Sequence, residues 1–149
     1  MTSRQIICVV ALVLAGVTPA VAQQPSAAGR IKVVSGSAFI LRGGKLLAAQ
    51  AGQDVYASDG LRTGADGSIG VTLKDDTRLS LGPSSEVGIE RFAYATSDGS
   101  LGLVLRFVRG VSAYVSGRIA KLSPDAVRLE TPAAIVGVRG TSLAISVEP

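Results

Sequence analysis

Apolar and polar positions alternate in short stretches along most of this chain. Ile69, Val71 and Leu73 alternate with Gly70 and Thr72; Leu79 and Leu81 flank Ser80; Val87 and Ile89 flank Gly88. Leu101, Leu103, Leu105 and Phe107 alternate in one stretch, and Val111, Ala113 and Val115 alternate in the next. Val127 and Leu129 follow, then Leu143, Ile145 and Val147. Residues two apart share one face of an extended chain, so each stretch predicts a strand with one buried face. No stripe at i, i+3, i+4, i+7 follows residue 30, so helix is predicted to be a minor element.

Turn chemistry separates the stretches. Gly64–Ser68 (GADGS), Lys74–Thr77 (KDDT), Gly82–Ser85 (GPSS) and Thr96–Ser100 (TSDGS) combine residues that reach positive φ, preset φ or bond the local backbone. Leu41–Lys45 (LRGGK) reads as a hairpin turn; it lacks the spacing of a phosphate-binding loop. Strands centred near Val71, Ser80 and Gly88 lie too close in sequence for a helical crossover, which takes a dozen or more residues. The predicted class is all-β. The short strands and small aliphatic core favour a β-solenoid-like domain wound in parallel coils, with a β-sandwich or roll as the alternative.

Composition changes this picture at the N-terminus. Arg4 precedes a short apolar run, Ile6–Val17, and Ala20-Val21-Ala22 has the small-x-small form of a signal-peptidase site. The run is short for a span, which takes about 20 residues. The expected organisation is a signal peptide over 1–22, a flexible lead-in over 23–29 and one β domain over 30–149. A membrane association would come only through an uncleaved N-terminus. The one cysteine, Cys8, falls inside the leader, so the mature chain has no thiol for a disulfide, a metal or nucleophilic catalysis. Export to the periplasm or beyond is the expected location.

Charge and residue types narrow the function classes further. The formal charge is +4, with 15 basic residues against 11 acidic ones, but the basic residues are scattered and no aromatics interleave with them. A nucleic-acid partner is not expected, because that footprint needs a clustered basic face. The chain has no histidine, so Ser-His and Cys-His chemistry are out of reach. Asp66, Asp75 and Asp76 lack the dense oxygen spacing of a calcium loop and read as turn formers. No enzyme, cofactor or metal is expected.

The segment Gly52–Ile89 resembles the FecR domain of bacterial cell-envelope proteins. The pieces stand in order: Gly52-x-Asp54-Val55, Asp59-x-Leu61-Arg62-Thr63-Gly64, Asp66-Gly67-Ser68, Asp75-Asp76-Thr77 and Leu79-x-Leu81-Gly82-Pro83-x-Ser85. Arg109-Gly110, Thr131-Pro132 and Val138-Arg139-Gly140-Thr141 continue the likeness, which covers roughly residues 30–147. The resemblance implies a compact β domain with solenoid character outside the cytoplasm. The best-known members carry a cytoplasmic segment, one membrane span and a periplasmic module, and regulate a sigma factor in response to iron-carrier uptake. Only the envelope part of that plan is matched by this sequence.

The stretch TPAAIVGVRGTSLAIS, residues 131–146, places Arg139 between two apolar segments that look built for burial. A guanidinium there would either meet an anionic partner or fix a turn by pairing inside the domain. Arg62 stands in a similar setting before Gly64, so Arg-turn units read as a repeated structural device. Arg139 is expected to hold the final coils in register, with Gly140 turning the chain and Thr141 bonding the turn. Arg62, Arg109, Arg139, Gly140 and Thr141 are the candidate interaction or structural residues. The expected function is binding of an envelope protein, with envelope signalling as its setting. A polysaccharide- or wall-binding module and a structural scaffold are the alternatives. Oligomeric state is not legible in the sequence.

Overall fold

The computed structural model describes residues 19–20, 25–138 and 142–148. In chain order the strands are β1 (Gly29–Ser35), β2 (Ala38–Arg42), β3 (Lys45–Ala48), β4 (Asp54–Val55), β5 (Gly60–Thr63) and β6 (Ser68–Leu73). They continue as β7 (Arg78–Leu81), β8 (Glu86–Ala95), β9 (Ser100–Val115), β10 (Val127–Glu130), β11 (Ile135–Gly137) and β12 (Ser142–Val147). The one α-helix among the described residues, α1 (Arg118–Leu122), leads into a 3-10 turn at Pro124–Ala126.

The main sheet runs β3-β2-β5-β8-β9-β7-β6-β1-β4, with β10 and β12 attached at β9 and β11 attached to β10. Each pairing is antiparallel except that of β9 with β10. All-β therefore holds, whereas the pairing is that of a curled antiparallel sheet rather than of stacked parallel coils. The physical reason lies in the turns: Gly43-Gly44, both at positive φ, and Thr96–Gly99 reverse the chain on itself. The curl follows from connectivity. β3 and β4 stand at opposite ends of the sheet, yet only residues 49–53 join them, so those ends lie within about 20 Å along the chain.

The concave side holds the core, where Ile31, Ile40, Leu61, Leu79, Val87, Ile89, Leu103, Leu105, Phe107 and Tyr114 are buried. Each buried aliphatic contributes roughly 1.5–3 kcal/mol against exposure. Alternation places these residues as expected on β5–β8, β10 and the first half of β9.

The second half of β9 departs from expectation. Glu86 faces Arg109 while Val87 faces Phe107, so β9 carries one extra residue there. Gly110 follows at φ +83°. The bulge shifts the parity: Ser112 and Tyr114 turn inward, and Val111, Ala113 and Val115 face solvent. β9 thereby passes from pairing with β8 and β10 to pairing with β7 and β12.

Candidate functional site

Four crossings of the chain between the two parts of the sheet meet at one polar seam: residues 36–37, 64–67, 82–85 and the bulge at Gly110. Gly64 N–H donates to Ser37 O (2.8 Å), and Ser84 N–H donates to Gly64 O (2.9 Å). Thr63 Oγ1 donates to Gly82 O (2.6 Å) and accepts from Ser85 N–H (2.9 Å). Ser85 Oγ accepts from Val111 N–H (2.9 Å) and lies 3.0 Å from the Val111 and Pro83 carbonyls. Thr63 and Ser85 are both buried, so each hydroxyl satisfies backbone groups that would otherwise be costly to bury. A Cβ on Gly110 would collide with Ser85 Oγ and Cα, and its backbone is left-handed as well.

Arg62 and Arg109 meet beside this seam. Glu86 stands between them in register on β8, with Arg62 on β5 and Arg109 on β9. Arg62 Nε lies 3.2 Å from Glu86 Oε2, and Arg109 Nε lies 3.7 Å from the same oxygen. Two guanidinium groups sharing one carboxylate leave a net positive charge on the convex face. The arginines are about a third and a half exposed, so these pairs contribute at most about 1 kcal/mol each. Arg139, Gly140 and Thr141 lie outside the described residues.

The aspartates have structural partners. Asp75 is fully buried; its carboxylate accepts from Thr77 N–H (3.1 Å), Thr77 Oγ1 (2.7 Å) and Ile119 N–H (3.3 Å). It thereby satisfies an early amide of α1, whose own N-cap, Gly117, has no side chain to do so. Asp66 Oδ1 accepts from Ser37 N–H (3.4 Å), and Asp76 pairs with Arg118 (3.1 Å).

Sequence reasoning missed an ion pair to a buried aspartate, Asp59. Arg42 grips Asp59 with two parallel bonds, Nε to Oδ1 at 2.9 Å and Nη2 to Oδ2 at 2.7 Å. Its guanidinium also stacks 4.7 Å from the Tyr56 ring centre. The hydrogen bond to Asp59, and then its charge, hold Arg42 protonated even more firmly than an ordinary arginine, against the opposing effect of burial. The 17-residue separation hides this pair from any local motif.

It also missed the most exposed apolar segment. Of the run Ala133–Val138, expected to be buried, Val138 is buried but Ala133–Gly137 is exposed throughout, with Ile135 67% exposed. The reason is position: β11 pairs with β10 alone, and no other described residue pairs with its outer edge. Thr131 shapes the approach to this strand, since its N–H and hydroxyl donate to Ala134 O (2.8 and 3.2 Å). A groove of about 350 Å³ runs alongside, lined by Phe107, Val108, Pro132, Ile135 and the Arg106–Glu130 pair (3.3 Å). The signal was in the run itself: Ala133–Val138 has no polar alternation to tell an inner face from an outer one.

A family model described as FecR protein matches residues 59–149. That span begins at Asp59 and takes in β5 through β12, including most of the seam and the whole β10–β11 edge. No curated protein and no solved structure matches the chain.

Proposed function

The chain belongs to the FecR family, and from that premise we propose that it is an exported, non-catalytic bacterial envelope domain that acts by binding a protein partner. The family's role is regulatory and tied to envelope signalling. The leader-like Arg4–Ala22 segment supports export, and among the described residues no helix is long and apolar enough to cross a membrane.

One observation carries the reading: the outer edge of β11, unpaired among the described residues, with Ile135 and Val136 exposed beside the Phe107–Pro132 groove. An extended partner segment would add a strand there, taking affinity from main-chain hydrogen bonds and specificity from side chains seated in the groove. Arg139, Gly140 and Thr141 connect this edge to β12, and Arg139 is proposed to hold the final strands in place. Arg139→Ala should then lower stability in denaturant unfolding by more than the ~0–1 kcal/mol of a solvated surface pair.

A photo-crosslinking residue placed at Ile135 tests the edge in the native envelope. A discrete protein adduct at Ile135, absent when the same group replaces the comparably exposed Val33, is the expected result. Equal labelling at both positions, or no adduct at Ile135, overturns the assignment.

A further inference from the structure

A second site lies on the solvent face of the sheet at its β6-β1-β4 end. A β-bulge in β1 breaks the register with β6 between Ile31 and Val33 and leaves Lys32 without a cross-strand partner. Arg30 and Lys32 are both exposed there. Thr72 faces Arg30 across the β1–β6 pair, and Lys74 follows the end of β6, its N–H tied to Ala28 O (2.8 Å). Together these residues line a cavity of about 340 Å³ with Asp54 as its one acid.

The charges are arranged rather than scattered. Asp54 Oδ1 accepts from Arg30 Nε (3.0 Å), which orients the guanidinium and leaves its terminal N–H donors available. Lys32 and Lys74 make no ion pair among the described residues, and the Thr72 hydroxyl makes no hydrogen bond there. Three cations against one carboxylate give the cavity two uncompensated positive charges. In the next strand, Arg78 stands across from Thr72 and adds to the field.

We infer that this cavity binds a phosphomonoester. Two uncompensated charges match the dianion, the oriented Arg30 fork and the two ammonium groups suit its terminal oxygens, and Thr72 supplies a neutral donor. The volume admits the phosphate with one small group attached. A free sugar phosphate and a lipid phosphate headgroup present this same chemistry.

The test titrates the full domain with glucose 1-phosphate and, separately, with phosphatidylcholine vesicles with and without phosphatidic acid. Lys32→Gln combined with Lys74→Gln is the variant, and Lys45→Gln combined with Lys121→Gln is the charge-matched control. All four lysines are exposed, so both double variants should fold, as their thermal unfolding will show. The expected result is binding that weakens with added salt, falls at least about tenfold in the first variant and stays unchanged in the second. Amide shifts should concentrate at Lys32, Thr72 and Lys74. Binding of glucose 1-phosphate assigns a soluble source; binding only to phosphatidic acid vesicles, with the same variant dependence, assigns a headgroup. Absence of both, or equal loss in the two double variants, overturns the inference.

Discussion

The seam around Thr63, Ser85 and Gly110 and the edge at Ala133–Gly137 are built from opposite materials. The seam is polar by composition, and its Thr63 and Ser85 side chains are buried. The edge is apolar by composition and exposed. Local hydropathy gives the wrong burial for both, because burial is decided by what the chain does with its backbone. At the seam the chain crosses between the two parts of the sheet, and hydroxyls must satisfy the amides and carbonyls that the crossings leave unpaired. At the edge the ladder stops, so even an Ile-Val pair stands in water. The ordered family motifs fall on both regions: Thr63-Gly64, Asp66-Gly67, Gly82–Ser85 and Gly110 build the seam, whereas Thr131-Pro132 borders the groove at the edge.

The largest expected effect breaks the seam. Gly110→Val adds a branched side chain against Ser85 at a left-handed backbone position. Overpacking and φ strain together should cost about 4 kcal/mol. Chemical denaturation of the variant, or its failure to fold, checks this; a loss below about 1 kcal/mol would mean that the bulge relaxes freely. Next in size is the other buried polar junction. Asp75→Ala removes the acceptor for two backbone amides and the Thr77 hydroxyl, and should cost about 3 kcal/mol. Amides of Thr77 and Ile119 should lose protection from hydrogen exchange, which separates this loss from a general weakening.

Smaller effects sharpen the contrast between strained and relaxed backbone. Ser58 is held at φ +74° without being a glycine. Ser58→Gly should raise stability by about 1 kcal/mol, read as an upward shift in thermal midpoint.

Tyr114 gives a pH test of the inward turn after the bulge. Its phenol is raised above the ordinary tyrosine value chiefly by burial, with the Ser116 side chain opposing and the Asp75 charge reinforcing. An unfolded chain gives up this proton near pH ~10 while the folded chain keeps it. Stability from the neutral phenol is therefore complete below that pH and is lost as pH rises through the folded value. Tyr114→Phe should move alkaline unfolding to higher pH, while changing stability at neutral pH by less than about 1 kcal/mol. An unchanged alkaline limb would show that another group controls it.

Strand positions from β5 to β8, the hairpin at Gly43-Gly44 and the inward set Val127 and Leu129 were legible because period-two alternation and turn residues are local signals. The inward turn of Tyr114 was not, because one bulge residue inverts every side chain after it. The sheet order was hidden for a related reason. Short strands with similar faces suit parallel coils and antiparallel ladders alike, and the reversals at the hairpins decide between them. Arg62 and Arg109 could be singled out individually, whereas their shared Glu86 follows only from the register of three strands. The edge was missed because an apolar run reads the same in a core strand and in an uncovered outer one.

The smallest expected effect is therefore the most informative about the edge. Ile135 is two-thirds exposed and borders the groove beside Phe107 and Pro132. Ile135→Lys keeps the side chain in water and leaves the β10 pairing of this strand in place, so stability should change by no more than about 0.5 kcal/mol. A buried isoleucine would behave differently, since truncating it costs about 2–5 kcal/mol and charging it costs more. The same substitution puts a charge on the edge, a known deterrent to added strands. Partner crosslinking from a neighbouring position such as Val136 should then fall sharply while the unfolding curve stays superimposable on that of the parent. Loss of both together would place Ile135 in the core; loss of neither would remove the β11 edge as the docking strand.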